Sequence, residues 1–405
     1  METIQLTLTA ESPLAIGRQK PGGAISEAQD YIPGSVIRGA IAGLILSQAQ
    51  ANPHAPLEGD FAALFTAAQP AVFTNAYPGS QSKVMPATAL SSKNDPGFKG
   101  SGKDKTGIFD TLIDRFCSHK LGIPFDPTEP DGSGGRVEPY RGFYQPKGSQ
   151  YEMASTGKRL LTRVGINRRR ATAADQILYS LEVMNEGQPR KEQPIRATTF
   201  NGKIYLRDAK LAETLTRYIQ ANAHLLRLGG SVSRGLGRVR IEAKPQSSTP
   251  SSLPQRLTTF NKKLQERWQA WQIFASAKLP SDRQYFAIGL QSGAILRDNW
   301  QRTTVLSPAM LQEETGVEDG SLCLELAFSS YDYVSGWNAA WGLFKDVDLV
   351  TSPGSVFLFS TTQLDRWIPA LTDLEQIGVG ERTSEGFGQV EVCSEFHLHF
   401  WENAV

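Results

Sequence analysis

The sequence predicts an α+β protein with two related domains in tandem. Strands and helices are mixed without the regular βαβ order of a parallel sheet. A chain of 405 residues is also longer than a domain with a single hydrophobic core usually is. Two signatures recur in the same order in both halves: Pro33-Gly34-Ser35-Val36 with Gly235-Leu236-Gly237, and Pro353-Gly354-Ser355-Val356 with Gly386-Phe387-Gly388. This recurrence indicates a duplication, which two ferredoxin-like (RRM-like) units fit best.

The first domain is predicted to span residues 1–242. Apolar and polar residues alternate from Ile4 to Thr9, as in a strand with one buried face. After a Pro-Gly-Ser turn, the apolar residues from Val36 to Ala49 have helical spacing, and Ser35 is placed as the N-cap. Residues from about 77 to 150 are rich in Gly, Pro, Ser and Lys, and we interpret them as a large insertion in this domain.

Later segments complete the first domain and lead to the second. The patterns predict a helix from Ala173 to Met184, a strand at Ile204-Tyr205-Leu206 and a helix from Asp208 to Leu226. Residues 243–283 are interpreted as a Ser- and Pro-rich linker followed by an amphipathic packing helix from Gln255 to Ala277. The second domain is predicted to span residues 284–405 and to start with a strand.

Composition and charge describe an ordinary globular protein, with 40% hydrophobic residues, 20% charged residues and a formal net charge of +1. Cys117, Cys323 and Cys393 are far apart, which argues against a disulfide framework or a four-Cys zinc site. The first residues lack the basic and apolar regions of a signal peptide, and no apolar run is long enough to span a bilayer. We therefore expect a soluble cytoplasmic protein.

Two glycine-rich segments, Gly229–Arg238 and Gly378–Gly388, are candidate ligand-binding loops. A dinucleotide-binding loop should follow a strand and open a helix, whereas a predicted helix precedes the first segment and an alternating strand, Val239–Ile241, follows it. A P-loop would need Gly-Lys followed by Ser or Thr, which neither segment has. Two interpretations remain open: a flexible turn, or a loop whose N–H groups, hydroxyls and arginines contact RNA phosphates.

The segment from Lys158 to Arg170 is the strongest local concentration of positive charge and contains no acidic residue. It is interpreted either as a solvated surface run or as a phosphate-contacting segment, whose binding would depend steeply on salt. Tyr144 and Tyr151 lie nearby in sequence and could stack on bases, although core packing is expected for at least one of them.

Several motifs resemble those of RAMP proteins (repeat-associated mysterious proteins) of type III CRISPR systems. Thr9–Gly17 followed by Tyr31–Ala40 looks like their N-terminal signature. The block Thr162–Ser180 is more specific and resembles a segment of the RAMP family of type III-D loci, in the group that recognises the 5′ tag of the guide RNA. The second half matches at Ser335–Asn338, Gly354–Phe357 and Gly386-Phe387-Gly388, so the resemblance spans nearly the whole chain.

The resemblance implies two tandem ferredoxin-like RAMP domains and a bound CRISPR RNA. The implied partners are target RNA, reached through the guide, together with other RAMP backbone subunits and the large subunit of the complex, and no membrane. Relatives often carry a Cys-rich knuckle in the first-domain insertion, but only Cys117 and His119 remain in that region here. Two such residues are too few to hold zinc, so no metal and no cofactor are expected.

The resemblance also raises the question of RNA cleavage. Some backbone RAMP subunits cut target RNA with a loop aspartate and a divalent metal. Asp30 is the only aspartate in the matching loop here. Repeat-processing RAMP endonucleases often use a histidine as general acid or base. The histidines of this chain are His54, His119, His224, His397 and His399. His397 and His399 alternate in what we take to be the terminal strand, where a surface or stacking role is expected.

The favoured hypothesis is a non-catalytic subunit that holds the 5′ tag of a CRISPR RNA in a type III (III-D-like) effector complex. The alternatives are a metal-dependent target-RNA or repeat-processing endoribonuclease and a pure assembly adaptor. The residues expected to contact RNA are Arg18, Ser35, Arg38, Lys158, Arg159, Arg163, Arg168, Arg169, Arg170, Gly230, Ser231, Ser233, Arg234, Gly235, Gly237, Arg382, Ser384, Gly386 and Gly388.

Overall fold

In the computed structural model, the opening alternation of the sequence folds as a strand, Glu2–Ala10. Its side chains at Ile4, Leu6 and Leu8 are at most 1% exposed, as predicted for a strand with one buried face. The structure describes residues 1–18, 27–49, 59–100, 106–148, 150–167, 169–170, 172–190, 193–246, 253–274, 277–338 and 342–405.

The chain forms two units, each assembled from separate stretches of sequence. Unit 1 comprises Met1–Ser80, Ser155–Ser247 and Tyr333–Asp348. Unit 2 comprises Gln81–Ala154, Ser248–Asp332 and Leu349–Val405. The region interpreted from sequence as an insertion in the first domain therefore falls almost wholly within unit 2.

The elements of the first half, in chain order, are β1 (Glu2–Ala10), α1 (Gly34–Gln48), α2 (Gly59–Phe65), β2 (Val72–Phe73), β3 (Tyr77–Pro78), β4 (Lys83–Val84), β5 (Ala89–Ser92), β6 (Ile108–Asp110), α3 (Leu112–Leu121), β7 (Val137–Pro139), β8 (Phe143–Lys147), β9 (Gln150–Ala154), β10 (Lys158–Asn167), β11 (Thr172–Met184), β12 (Gly187–Arg190), β13 (Gln193–Ala197), β14 (Thr199–Leu206), α4 (Ala209–Asn222) and β15 (Val239–Gln246). The remaining elements are α5 (Leu253–Trp271), β16 (Gln284–Leu290), β17 (Leu296–Asp298), β18 (Gln301–Thr303), α6 (Pro308–Thr315), β19 (Cys323–Phe328), β20 (Tyr331–Asn338), β21 (Leu343–Thr351), β22 (Val356–Thr361), α7 (Leu364–Ile377) and β23 (Val390–Val392).

The core sheet of unit 1 has the strand order β15-β1-β14-β2, and every neighbouring pair is antiparallel. Along the chain its elements follow the order β1, α1, β2, β14, α4, β15. This element order with this strand order is the ferredoxin-like arrangement. Helix α4 begins after Asp208, whose carboxylate accepts a hydrogen bond from the Leu211 N–H at 3.0 Å.

Unit 2 repeats the same arrangement. Its core sheet has the order β19-β22-β16-β23, and its elements follow the order β16, α6, β19, β22, α7, β23. Phe286 and Phe359 stack at 5.5 Å between ring centroids, and Trp367 packs 5.9 Å from Phe286. Helix α5 buries Leu257 and Phe260 on this core, as the amphipathic spacing of its sequence predicts. The α+β class is thus confirmed.

A two-stranded ribbon precedes the third core strand in both halves: β10-β11 before β14, and β20-β21 before β22. Each ribbon ends in the same backbone pairing. Met184 and Leu14 exchange two hydrogen bonds of 3.0 Å, and Thr351 and Ala294 exchange two of 2.8 and 3.0 Å. Because the two halves share this connection as well as their sheets, the structure supports the duplication inferred from the signatures.

Three local predictions were wrong. Ala173 to Met184 lies in strand β11 rather than in a helix, because it pairs with β10 along its length. The N-cap of α1 is Pro33 rather than Ser35, and the Gly34 N–H donates a hydrogen bond to the Asn75 side-chain oxygen at 2.9 Å. Residues Glu395–Leu398 form a 3₁₀ helix, not a strand, so His397 and His399 do not alternate on one strand face.

Among the residues that the structure describes, no helix is both long enough and apolar enough to cross a membrane.

A buried carboxylate in unit 2 makes a pH-dependent prediction. Burial alone would raise the pKa of Asp319, but hydrogen bonds from Ser321, Thr361 and Trp367 outweigh it and lower that pKa to about 2. A lowered folded-state pKa stabilises the fold above the unfolded-state value, and that stability is lost as pH falls from about 4 towards 2. We expect Asp319→Asn to lower the free energy of unfolding by about 2 kcal/mol at pH 6 and by less at pH 3.

Urea unfolding at both pH values checks this, with Asp282→Asn as the control because Asp282 is exposed in the same unit. An Asp319→Asn deficit that is as large at pH 3 as at pH 6 would contradict the assignment.

Candidate nucleic-acid interface

The two glycine-rich loops have the same backbone conformation. In the first, φ is positive at Gly229 (89°), Ser231 (58°), Gly235 (85°) and Gly237 (83°), around a 3₁₀ turn at Val232–Arg234. In the second, the matching values are found at Gly380 (78°), Arg382 (58°), Gly386 (94°) and Gly388 (66°), around a 3₁₀ turn at Thr383–Glu385. The loops are therefore copies of one structure rather than two unrelated turns.

Two of these glycines allow a close backbone approach that no other residue permits. A Cβ on Gly237 would lie 2.6 Å from the Leu228 carbonyl oxygen, and a Cβ on Gly388 would lie 1.9 Å from that of Val379. Both glycines also have positive φ, which side chains disfavour. The interpretation of the loops as merely flexible turns does not fit this tight packing.

Most of the first loop's N–H groups are already used within the unit. Gly230 donates to the Ala15 carbonyl at 2.8 Å and Gly237 donates to the Pro13 carbonyl at 3.0 Å. Within the loop, Arg234 donates to the Ser231 carbonyl at 2.9 Å and Gly235 to that of Val232 at 3.1 Å. The loop consequently offers a ligand its side chains more than a cradle of backbone N–H groups.

The exposed tip of the first loop contacts the β10-β11 ribbon. The guanidinium of Arg234 donates a hydrogen bond to the Tyr179 hydroxyl and lies over the Tyr179 ring, 5.4 Å from its centroid. Tyr179 is the cross-strand partner of Arg163 in the ribbon, so both side chains leave the same face. We call Arg163, Tyr179 and Arg234 the ribbon-loop cluster.

The opposite face of the ribbon is apolar and exposed. Leu160, Val164, Ile166 and Leu178 are 59%, 48%, 68% and 70% exposed. Strand alternation separates Leu160, Val164 and Leu178 from Arg163 and Tyr179. Away from its buried end at Val183 and Met184, the ribbon therefore presents one face with Arg163 and Tyr179 and an opposite face with exposed apolar side chains.

At the base of the ribbon, the predicted basic residues are neutralised by acids. Asp30 accepts from Arg18 at 3.2 Å and from Lys158 at 2.6 Å. Arg159 donates to Asn185 at 3.0 Å and forms a 3.0 Å ion pair with Glu186. Lys158 thus connects the ribbon to the segment before α1, Arg159 pairs with residues that directly follow β11, and Asp30 lies between two cations.

The other residues of unit 1 that were predicted to contact RNA differ in how buried they are. The Arg38 guanidinium donates a hydrogen bond to the Phe65 carbonyl at 2.5 Å and lies 5.5 Å from the centroid of the Phe65 ring. It is therefore engaged within the unit. Ser35 lies half-buried in the first turn of α1. Arg169 and Arg170 are exposed at the ribbon tip, and Arg168 falls outside the described residues.

The second loop has the same backbone conformation as the first, but its arginine is paired with an acidic side chain. Arg382 forms a 2.7 Å ion pair with Glu385 and lies 4.8 Å from the centroid of the Phe387 ring. Glu381 pairs with Arg297 at 2.9 Å. The predicted contacts Ser384, Gly386 and Gly388 lie in this half-buried, internally paired loop.

The histidines and tyrosines named as candidates are mostly used in packing. His397 is 1% exposed, with its Nδ1 3.1 Å from an Asp110 carboxylate oxygen. Tyr144 is 3% exposed, which confirms that one of the two tyrosines is a core residue. His399 lies with its Nε2 3.4 Å from the Tyr151 hydroxyl, and burial lowers its pKa.

Two of the remaining histidines lie on the surface. His119 and His224 are exposed, and His54 falls outside the described residues. Within the part of the chain that the structure describes, no group of three His, Cys, Asp or Glu side chains is placed to hold a metal ion.

The family of the chain follows from its first half. The model of the RAMP superfamily matches residues 7–240, which include the end of β1, the ribbon and the first glycine loop. The chain belongs to the RAMP superfamily. The type III-D subgroup stays a prediction. No curated protein sequence matches this RAMP protein.

Solved structures with a distant likeness to this RAMP protein include three from type III-B Cmr-beta complexes. A chain of the cryo-EM structure bound to cognate target RNA is 10% identical with a TM-score of 0.40, covering 87% of this chain and 86% of that chain. A chain of the complex determined with cognate target RNA and AMPPnP (state 1) is 10% identical with a TM-score of 0.39, covering 90% of this chain and 88% of that chain. A chain of the apo state is 11% identical with a TM-score of 0.31, covering 61% and 98%.

Tyr179 is the member of the ribbon-loop cluster that sequence analysis missed. It lies in the Thr162–Ser180 block, but the sequence pattern predicts a helix from Ala173 to Met184. A helix there does not predict the position of Tyr179 opposite Arg163. Recognition of β11 as a strand would have placed the two side chains on one face.

The glycine geometry makes a stability prediction. Gly235 has a φ of +85° but no atom within 4 Å of an added Cβ, so Gly235→Ala should cost about 1–2 kcal/mol for the left-handed backbone alone. Gly237→Ala should cost about 2 kcal/mol more because its Cβ also meets the Leu228 carbonyl. Urea unfolding of both variants measures the difference, and equal losses would show that the close approach does not constrain the loop.

Proposed function

We propose that this RAMP protein is a non-catalytic RNA-binding subunit of a type III CRISPR effector complex. The ribbon-loop cluster is the main RNA contact of unit 1 in this proposal. The observation that carries it is the exposed Arg234 guanidinium, whose hydrogen bond goes to a neutral tyrosine hydroxyl rather than to a carboxylate. A cation in that state keeps its charge available for a phosphate.

The chemistry of the cluster suits a single RNA strand. A tyrosine ring with a guanidinium over it offers a flat surface on which a base stacks, whatever its sequence. Arg163, on the same face, adds a second cation for the phosphates that flank the base. By contrast, Lys158 and Arg159 are occupied by acids at the ribbon base, so we assign them to holding the ribbon.

The finer assignment concerns the type of complex and the part of the guide. The Thr162–Ser180 block, which resembles type III-D RAMP proteins that recognise the guide 5′ tag, forms most of the ribbon. We therefore propose a III-D-like subunit that holds the 5′ tag. Target RNA paired to the guide, other RAMP backbone subunits and the large subunit are its proposed partners, in the cytoplasm.

The arrangement around Asp30 supports a non-catalytic role. A catalytic aspartate that binds a divalent metal needs carboxylate oxygens open to the ion. Both oxygens of Asp30 are engaged, one by Arg18 and the other by Lys158, so a metal would have to displace two cations. The buried His397 likewise has no access to a substrate phosphate.

The ribbon-loop cluster predicts the effect of two substitutions. Arg234→Ala should weaken single-stranded RNA binding by about tenfold and lower the salt dependence of the affinity by roughly one phosphate contact. Tyr179→Ala should weaken binding by about five- to 100-fold through lost stacking, and Tyr179→Phe should keep most of the affinity because it keeps the ring.

Fluorescence anisotropy with a labelled single-stranded RNA at several salt concentrations measures these effects. Arg217→Ala is the matched control, since Arg217 lies exposed on α4 of the same unit and pairs only weakly with Glu213, at 3.9 Å. Equal losses for Arg217→Ala and Arg234→Ala would mean that binding reflects general charge, and the cluster would then not be the site.

Catalysis is tested separately. Incubation of the complex with labelled target and precursor RNAs, with and without magnesium, should leave this subunit without a cut of its own. A magnesium-dependent cut that Asp30→Ala abolishes would replace the non-catalytic proposal with the nuclease alternative.

A further inference from the structure

Strands β17 and β18 of unit 2 form a short hairpin whose turn carries an exposed tryptophan. The turn residues are Asn299 and Trp300, with φ values of 45° and 69°. Two positive φ values in a two-residue loop are typical of a type I′ turn, which favours Asn followed by Gly. Trp300 occupies the position of that glycine and is 95% exposed.

Folding does not account for a tryptophan at this position. A bulky side chain in the left-handed region is strained, and an indole that stays in water contributes no burial to compensate for the strain. A residue that costs stability where it stands is a candidate for function. The side chain therefore needs an explanation outside the fold of unit 2.

The turn that carries the ring is braced by side-chain contacts. The two carboxylate oxygens of Asp298 accept hydrogen bonds from the Ser307 hydroxyl at 2.8 Å and from the Asn299 amide at 2.9 Å. Next to it, Arg297 forms a 2.9 Å ion pair with Glu381 of the second glycine loop. A rigid support reduces the entropy lost when the ring binds a partner.

The groups around the ring are polar and include two cations. Arg297 and Arg302 are cross-strand partners, and both are exposed. A protein pocket deep enough to enclose Trp300 would also have to desolvate these charges, which is costly. A nucleobase needs only one face of the ring and places its phosphates where cations are favourable.

We propose that Trp300 stacks on an unpaired base of RNA, with Arg302 near the neighbouring phosphates, since Arg297 is already paired with Glu381. This inference rests on the proposed RNA-binding function and adds to it a contact in unit 2 that no sequence motif indicated. The contact is tolerant of base identity, because every base has a face on which an indole can stack.

The test uses Trp300→Gly in the full-length chain, because glycine suits the turn. We expect the Tm to be unchanged or higher, since the left-handed strain is relieved. The affinity for a labelled single-stranded oligoadenylate should fall by about five- to 100-fold, with an unchanged salt dependence because no cation is removed. Trp300→Phe should keep most of the affinity.

The matched control is Ile273→Ala, which removes another apolar side chain of unit 2 that is 81% exposed but lies away from the hairpin. Its affinity should equal that of the unaltered protein. Photocrosslinking of RNA that contains 5-iodouridine, followed by mass spectrometry, should identify the hairpin peptide in the unaltered protein and not in Trp300→Gly.

The outcomes separate this inference from the function on which it rests. If the unaltered protein binds no RNA, or if Arg234→Ala has no effect, the proposed function of the ribbon-loop cluster fails. If Arg234→Ala weakens binding and Trp300→Gly does not, the Trp300 contact alone is overturned. If Trp300→Gly leaves RNA affinity unchanged but prevents entry into the effector complex, the tryptophan contacts protein, and the inference is again overturned.

Discussion

Each unit depends on a close backbone approach, in which a glycine of the loop before the last core strand packs directly on a carbonyl oxygen of the segment that follows the preceding helix. At Gly237 that oxygen belongs to Leu228, which in turn donates its N–H to the Gly237 carbonyl at 2.9 Å. Only glycine combines positive φ with the absence of a Cβ, so the contact fixes the residue and the path of the loop. The position of Arg234 beside the ribbon follows from that path.

The duplicated backbone carries two different surfaces. In the first loop Arg234 reaches out to Tyr179 on the ribbon, whereas in the second loop Arg382 turns back onto Glu385 and Phe387. The strain of the left-handed residues is common to both loops, so it serves the fold. The chemistry differs at the side chains of the tip. Unit 2 instead exposes a tryptophan, Trp300, on the adjacent hairpin.

The basic segment that stands out in the sequence divides into two parts in the structure. Lys158 and Arg159 form charge pairs with Asp30 and Glu186 at the ribbon base. Further along the strand, Arg163 faces Tyr179. A run of like charges in the sequence is therefore not one functional feature: its members take different roles according to the acids that the fold brings to them.

The sequence by itself determined the α+β class, the duplication, the opening strand and the packing helix, because local periodicity or glycines at fixed spacing predict each of them. It misplaced Ala173–Met184, since Ile177-Leu178-Tyr179 are consecutive apolar and aromatic residues without the alternation that identifies a half-buried strand, and only the pairing with β10 decided its structure. The neutralisation of Asp30 and the contact between Tyr179 and Arg234 were likewise decided by tertiary structure. Their partners are far apart along the chain, and no local pattern records which charges and rings the fold will bring together.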